Sequence, residues 1–166
     1  LSLEEDCALA GHNAFLPEDE ELAEQYAGIR YILSQASYKH YEISNFAKPG
    51  YESRHNLGYW KTENYLGLGA SAAGWVKPFR WTNPADLPSY YQKVEQGLRF
   101  PEAELCSEEQ EQKDWLIMGL RLREGISLAE FKAKFGVDLQ SLYKDQINKL
   151  ISIGMLKLTN SRLALT

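Results

Sequence analysis

Cysteine is almost missing from this sequence: Cys7 and Cys106 stand alone, nearly a hundred positions apart. Two such thiols build no CxxC pair, zinc knuckle or disulfide framework. Histidine is scarce as well, with three residues in the chain, so any imidazole chemistry falls on very few side chains. No uncharged apolar stretch approaches the roughly 18 residues that suggest a membrane span. The opening residues also lack the basic-then-apolar pattern of a secretion signal, so a cytoplasmic location is expected. An excess of base is missing too. A net charge of −5 opposes binding to nucleic acid by bulk electrostatics, which needs clustered Lys and Arg to neutralise phosphates.

What is present is an ordinary globular balance, with 44% hydrophobic and 25% charged residues over 166 positions, enough for one domain or two small ones. Leu1-Ser2-Leu3 reads as the tail of a strand, and its abrupt start without an initiating Met suggests a piece of a longer chain. From Pro17 to about Ser34, Leu22, Tyr26, Ile29 and Leu33 recur at helical spacing behind the acids Glu18 to Glu21, which favour a helix N-terminus. Tyr38 to Phe46 alternates as a strand, with Tyr41 and Ile43 on one face and His40, Glu42 and Ser44 on the other. Strand, helix and strand in that order predict a parallel crossover, whose sheet needs more strands than this chain supplies.

The segment from Tyr51 to Tyr91 is dense in aromatics, including Trp60, Trp75 and Trp81, interleaved with Gly67, Gly69 and Gly74. It reads as irregular structure around a short glycine-rich strand. A helix follows, beginning near Asp86 and Pro88 and stopped by Gly97. Ser107 with Gln110, and Ser127 with Glu130, are capping-box patterns ahead of two helices, the second closed by Gly136. A third helix from about Leu139 ends at Gly154, and Met155 to Thr159 with Arg162 to Thr166 forms a hairpin around Asn160-Ser161. Three helices and a hairpin predict a winged-helix-like module with a core of Trp115, Met118, Leu122, Phe131, Phe135, Leu150 and Leu156. The acidic stretch from Phe100 to Glu109 is the expected boundary, giving units 1–100 and 101–166.

Three motifs carry a family resemblance. Tyr41-Glu42-Ile43-Ser44-Asn45-Phe46-Ala47-Lys48-Pro49-Gly50, then Ser53-Arg54-His55-Asn56-Leu57-Gly58-Tyr59-Trp60, then Tyr65-Leu66-Gly67-Leu68-Gly69-Ala70-Ser71-Ala72 resemble the YEISNFAxPG, SxHNxxYW and YLGxGxxA segments of HemW-type proteins in the same order. Leu116 to Arg121 with Gly125-Ile126, and Gly154-Met155-Leu156, are similar to the family's MxGLRxxxGI and GLL stretches. The resemblance is to radical-SAM proteins of haem metabolism, the HemW-like haem chaperones and the oxygen-independent coproporphyrinogen III oxidases. It implies an α/β fold, the C-terminal part of a partial barrel, followed by the small winged-helix-like α+β unit. It also implies a [4Fe-4S] cluster on a CxxxCxxC motif and S-adenosylmethionine beside it, and neither cysteine here falls on that motif.

The same resemblance makes His55 with Asn56, Tyr59 and Trp60 the haem-binding element. Imidazole is a standard axial ligand for haem iron, and Tyr59 and Trp60 offer a flat apolar wall to a porphyrin face. The alternative for His55 is a structural ring bonded to loop carbonyls, with Asn56 closing a turn. Gly67 and Gly69 permit close backbone approach to a ligand, and the resemblance places S-adenosylmethionine near Ala73; tight packing beside Trp75 is the competing account. Glu42 and Ser44 are candidates for the barrel interior, and Arg54 and Arg80 for pairing with porphyrin propionates. Haem or porphyrin and a haem-acceptor protein are the implied partners. The HNLGYW sequence favours chaperone over oxidase. A nucleic-acid or protein-interaction role for the C-terminal module is the third alternative, its nucleic-acid form weakened by the mixed charge of Lys144, Asp145, Gln146, Asn148 and Lys149.

Overall fold

The computed structural model describes residues 17–97 and 103–166. The strand expected at Leu1–Leu3 and Cys7 lie outside them. Acids in the first turn favour a helix just after Pro17, and α1 runs Asp19–Gln35. It is held near its middle by Tyr26, whose hydroxyl donates to the Ile43 carbonyl at 2.7 Å.

The expected continuous strand over Tyr38 to Phe46 does not form. Its two ends fold back as β1, Lys39–His40, and β2, Phe46–Ala47, an antiparallel pair. The middle turns away because its backbone has a better partner elsewhere. Ile43 N–H donates to the Arg121 carbonyl at 3.0 Å, and Arg123 N–H donates to the Tyr41 carbonyl at 3.1 Å. Alternation along one segment cannot reveal a partner eighty residues away. The expected parallel crossover is corrected with it, because every strand pair among the described residues is antiparallel.

The aromatic middle is more regular than its composition suggested. Helix α2 spans Arg54–Trp60, and β3, Ala73–Val76, pairs with β4, Phe79–Thr82, as a hairpin. Asp86 caps α3, Leu87–Glu95, by accepting from Ser89 N–H, and Gly97 closes it at a φ of 83°. The short β5, Glu104–Leu105, extends the hairpin sheet along β4.

In the C-terminal part the capping residues act as read. Ser107 accepts from Gln110 N–H ahead of α4, Glu108–Gly119, and Ser127 accepts from Glu130 N–H ahead of α5, Leu128–Phe135. Gly136, at a φ of 70°, ends α5. The expected third helix is two: α6, Leu139–Leu142, and α7, Lys144–Ser152, interrupted at Tyr143. Strands β6, Ile126–Ser127, β7, Leu156–Leu158, and β8, Arg162–Leu165, form a sheet in the order β6-β8-β7. The core here is Phe131, Phe135, Leu139, Ile147, Ile126, Leu156 and Leu163, with Trp115 and Leu150 packed against it. Met118 and Leu122 belong elsewhere: Met118 lines a cavity facing α2, and Leu122 bridges to Glu42.

Charged groups fasten the hairpin sheet to the C-terminal helices. Lys77 and Lys134 share one oxygen of Glu111, at 2.8 and 2.9 Å, and Arg80 is paired with Asp114. Burial alone would raise the Glu111 carboxyl, but hydrogen bonds from the two lysines, reinforced by their charges, hold it below the usual range. Burial works against the Lys77 ammonium as well, yet its bond to Glu111 prevails and raises it, whereas burial beside Lys77 lowers Lys134. A carboxyl held low only in the folded chain stabilises the fold fully above its unfolded value of about 4.3. That contribution is lost as pH falls through the lower folded value. Glu111→Gln should therefore cost about 1 kcal/mol at neutral pH and remove part of the stability loss between about pH 5 and 3. Urea midpoints at pH 7 and pH 3 measure it, and an undiminished difference between the two pH values would refute it.

Candidate functional site

Ser53 starts α2 by accepting from Asn56 N–H at 3.3 Å, and the Ser53 N–H itself donates to the Tyr41 hydroxyl at 3.3 Å. The helix is thus tied to the segment that joins the two halves of the molecule. It places His55 and Tyr59 one turn apart on the same face. His55 is exposed and meets Tyr59 edge-on, with centroids 4.6 Å apart, and Tyr59 meets Tyr65 the same way at 4.6 Å.

Neither ring nitrogen of His55 has a hydrogen-bond partner among the described residues. His40 is the opposite case. It stacks on Phe46 at 4.3 Å, and its Nε2 lies 3.1 Å from both the Tyr26 hydroxyl and the Ile43 carbonyl. A satisfied structural histidine is therefore present in this chain, but it is His40. The groove beside His55 is lined by Arg54, Glu63 and Asn64 with Tyr59 and Tyr65. Burial, with Tyr59 adding to it, pushes the Tyr65 phenol up.

The four residues of the HNxxYW element do not converge on the His55 groove, which only His55 and Tyr59 of the four line. Asn56 contributes a capping N–H, and Trp60 lies on the side of α2 facing α4, with the Arg121 guanidinium 4.3 Å from its ring. Tyr65, which motif reading did not single out, takes the place beside Tyr59 that Trp60 was expected to fill. No local signal marks it, because its position depends on an antiparallel bridge to Trp75.

The glycine-rich stretch is held tightly by protein. A Cβ on Gly67 would overlap the Ala73 carbonyl, and the Gly67 and Gly69 carbonyls both accept from the buried Asn83 amide at 2.9 Å. Gly69 N–H donates to the Tyr90 hydroxyl at 3.0 Å, its φ is 109°, and its open side meets nothing within 4 Å. Ala73 is exposed at the start of β3. Gly67→Ala should accordingly lower stability by about 1–3 kcal/mol, since backbone must move. Gly28→Ala, in open space on α1, should raise it by about 0.5–1 kcal/mol. Equal denaturant midpoints for the two variants would refute the packing account.

Glu42 and the arginines divide similarly. Glu42 is fully buried and bonded by the Asn45 amide, at the bridge to Leu122, while Ser44 is exposed. Arg80 is engaged by Asp114 and lies over Trp75, 5.1 Å from the ring centre. Arg54 alone of the two stands beside His55.

A [4Fe-4S] cluster needs several convergent thiolates. Cys106 is buried, its thiol pushed up by that burial, and no group of three His, Cys, Asp or Glu among the described residues is placed to hold a metal ion. The donor set described here does not fit the cluster. Among the described residues no helix is long and apolar enough to cross a membrane.

Comparison with known proteins agrees with the motifs. Residues 107–166 match the HemN C-terminal domain model. The chain is 34% identical over 151 residues to the haem chaperone HemW of Lactococcus lactis subsp. lactis and 33% over 152 residues to that of Bacillus subtilis, covering 91% of this chain in each case. It spans 40% of the length of each of these relatives. Its fold matches the Escherichia coli coproporphyrinogen III oxidase HemN, described as a radical SAM enzyme, with a TM-score of 0.69 at 17% identity over 93% of this chain and 39% of that one. The chain therefore carries a HemN C-terminal domain and is homologous to the C-terminal portion of the HemW haem chaperones.

Proposed function

We propose that this chain forms the haem-contacting, C-terminal part of a HemW-like haem chaperone, with His55 as the axial imidazole. The observation that carries the reading is the exposed His55 ring, presented from the capped first turn of α2 without a hydrogen-bond partner among the described residues. A neutral imidazole nitrogen left free on a helix face is chemically ready to bind iron. Tyr59 and Tyr65 supply the apolar flank, and Arg54 stands where a guanidinium fork can pair with a propionate. Trp60 then serves the site indirectly, by holding α2 against Arg121.

Within this proposal residues 1–100 belong to the C-terminal part of a radical-SAM barrel and residues 101–166 to a winged-helix-like unit. The match to the HemN C-terminal domain from Ser107 onward supports that boundary. Haem is the cargo, and a haem-acceptor protein is the partner to which it passes. Any S-adenosylmethionine contact from this chain falls to the open side of Gly69 and the exposed Ala73, because Gly67 is closed by backbone.

Titration of the chain with haemin, followed by absorbance, tests the proposal. A saturable Soret shift of the imidazole-ligated type is expected. A spectrum identical to free haemin across the titration would sink it.

A further inference from the structure

On the other side of the Tyr59 and Tyr65 rings, between α2, the β3–β4 hairpin and α4, lies a half-open cavity of about 150 Å³. Four aromatic residues wall it, Tyr59, Trp60, Tyr65 and Trp75, and Thr62, Arg80, Met118 and the carboxylates of Glu111 and Asp114 also line it. Apolar cavities of about this size take one six-membered aromatic ring. A tetrapyrrole is several times larger.

The polar groups at this cavity specify the rest of the ligand. Thr62 is 8% exposed, and its hydroxyl has no hydrogen-bond partner among the described residues. The Trp60 Nε1–H is likewise buried and unpartnered. Arg80 gives one N–H to Asp114, and its remaining donors have no hydrogen-bond partner among the described residues. Each Asp114 oxygen already accepts a bond, one from Arg80 and the other from Gln110 at 2.9 Å. The open Trp60 and Arg80 positions are donors and the Thr62 hydroxyl can donate as well, so together they suit an acceptor.

Charge points the same way. Arg80 is the one cation in the lining and pairs with the lining carboxylate of Asp114, while Lys77 and Lys134, outside it, cover that of Glu111 and Arg121 lies over the Trp60 ring, so four cations stand against two carboxylates that are already met. An anion is the complementary ligand.

The backbone at Thr62 adds an independent argument. Thr62 N–H donates to the Tyr59 carbonyl and Glu63 N–H to the Gly58 carbonyl, at 3.0 and 2.9 Å, the bonding pattern that closes a helix with a left-handed residue. Glycine or asparagine suits that position, yet Thr62 occupies it at a φ of 51°. A β-branched residue held in this region is strained, and the turn alone gives no reason for its hydroxyl.

We propose that this cavity is a binding site for a small monocyclic aromatic carboxylate. Its ring lies among Tyr59, Trp60, Tyr65 and Trp75, and its carboxylate accepts from Thr62, the Trp60 indole N–H and the free N–H groups of Arg80. The site is distinct from the His55 groove, with which it shares only the Tyr59 and Tyr65 rings.

Benzoate is the probe, added to the whole chain while the indole N–H resonances are followed by NMR, the Trp60 signal being assigned by its loss in Trp60→Phe. Benzoate should shift that signal saturably, and neutral benzyl alcohol should bind at least about tenfold more weakly. Thr62→Val should weaken benzoate about tenfold, and Thr62→Ser, which restores the hydroxyl, should bind like the parent. Three results would overturn the proposal: no saturation by about 10 mM benzoate, equal affinity for benzyl alcohol, or a Trp60 shift produced by haemin and not by benzoate.

Discussion

Replacing Phe131 with Ala is expected to lower the stability of the fold by about 3–5 kcal/mol, enough to unfold much of the population of a marginal domain. Phe131 is 0% exposed. Its ring lies 5.5 Å from that of Trp115 on α4 and 4.8 Å from that of Phe135, one turn away on α5, in edge-on and tilted arrangements that add to simple burial. Truncation removes one ring of this aromatic cluster. The neighbours are not free to fill the space, because Phe135 belongs to the same packed cluster as Leu139, Ile147 and Leu163, and Trp115 packs against it. The cost is read as a shift in urea midpoint at constant slope. A loss below about 1 kcal/mol would mean that the cluster repacks, and that the core is carried by the β6-β8-β7 sheet and α7 instead.

How far such a core can be foreseen depends on the range of the interactions that build it. Phe131 and Phe135 were legible because a serine cap, an i, i+4 aromatic pair and a closing glycine all lie within ten residues. Asp86 and Gly97 around α3 were legible for the same reason. Ile126, Leu139, Ile147 and Leu163 were not assigned to the core, since each is buried only through strands or helices that meet across the module. The middle of the chain hid its structure more thoroughly. Gly58 and Asn56 depress helix propensity in Arg54–Trp60, so the segment reads as a loop, although Ser53 three residues before Asn56 was a usable capping signal. Tyr41 to Ile43 alternates as a strand should, but its true partner is Arg121 to Arg123.

The candidate site shows the same division. The motif located His55 without indicating that its ring would be exposed and unbonded, or that the second wall would be Tyr65. Asn83 holds both glycine carbonyls from sixteen and fourteen residues away, a contact with no trace in the YLGLG segment itself. Family resemblance supplied the chemistry to look for, and the long-range packing decided which side chains stand together.

The second large effect concerns that histidine. His55→Ala is expected to weaken haemin binding by about tenfold or more, a loss of about 1.4 kcal/mol or more, and to abolish the imidazole-type Soret shift. The fold should be untouched, because the His55 ring makes no hydrogen bond among the described residues and contacts Tyr59 only edge-on. Circular dichroism and the urea midpoint check that part. His40→Ala is the matching control. It removes a ring that stacks on Phe46 and lies within bonding distance of the Tyr26 hydroxyl and the Ile43 carbonyl, so it should destabilise the β1–β2 region by about 1 kcal/mol or more while leaving the Soret position of bound haemin in place. The two variants thus separate ligation from structure: one changes the spectrum and not the stability, the other the reverse. Should folded His55→Ala bind haemin with the parent's affinity and spectrum, the axial ligand is not His55, and the exposed ring on α2 has some other use.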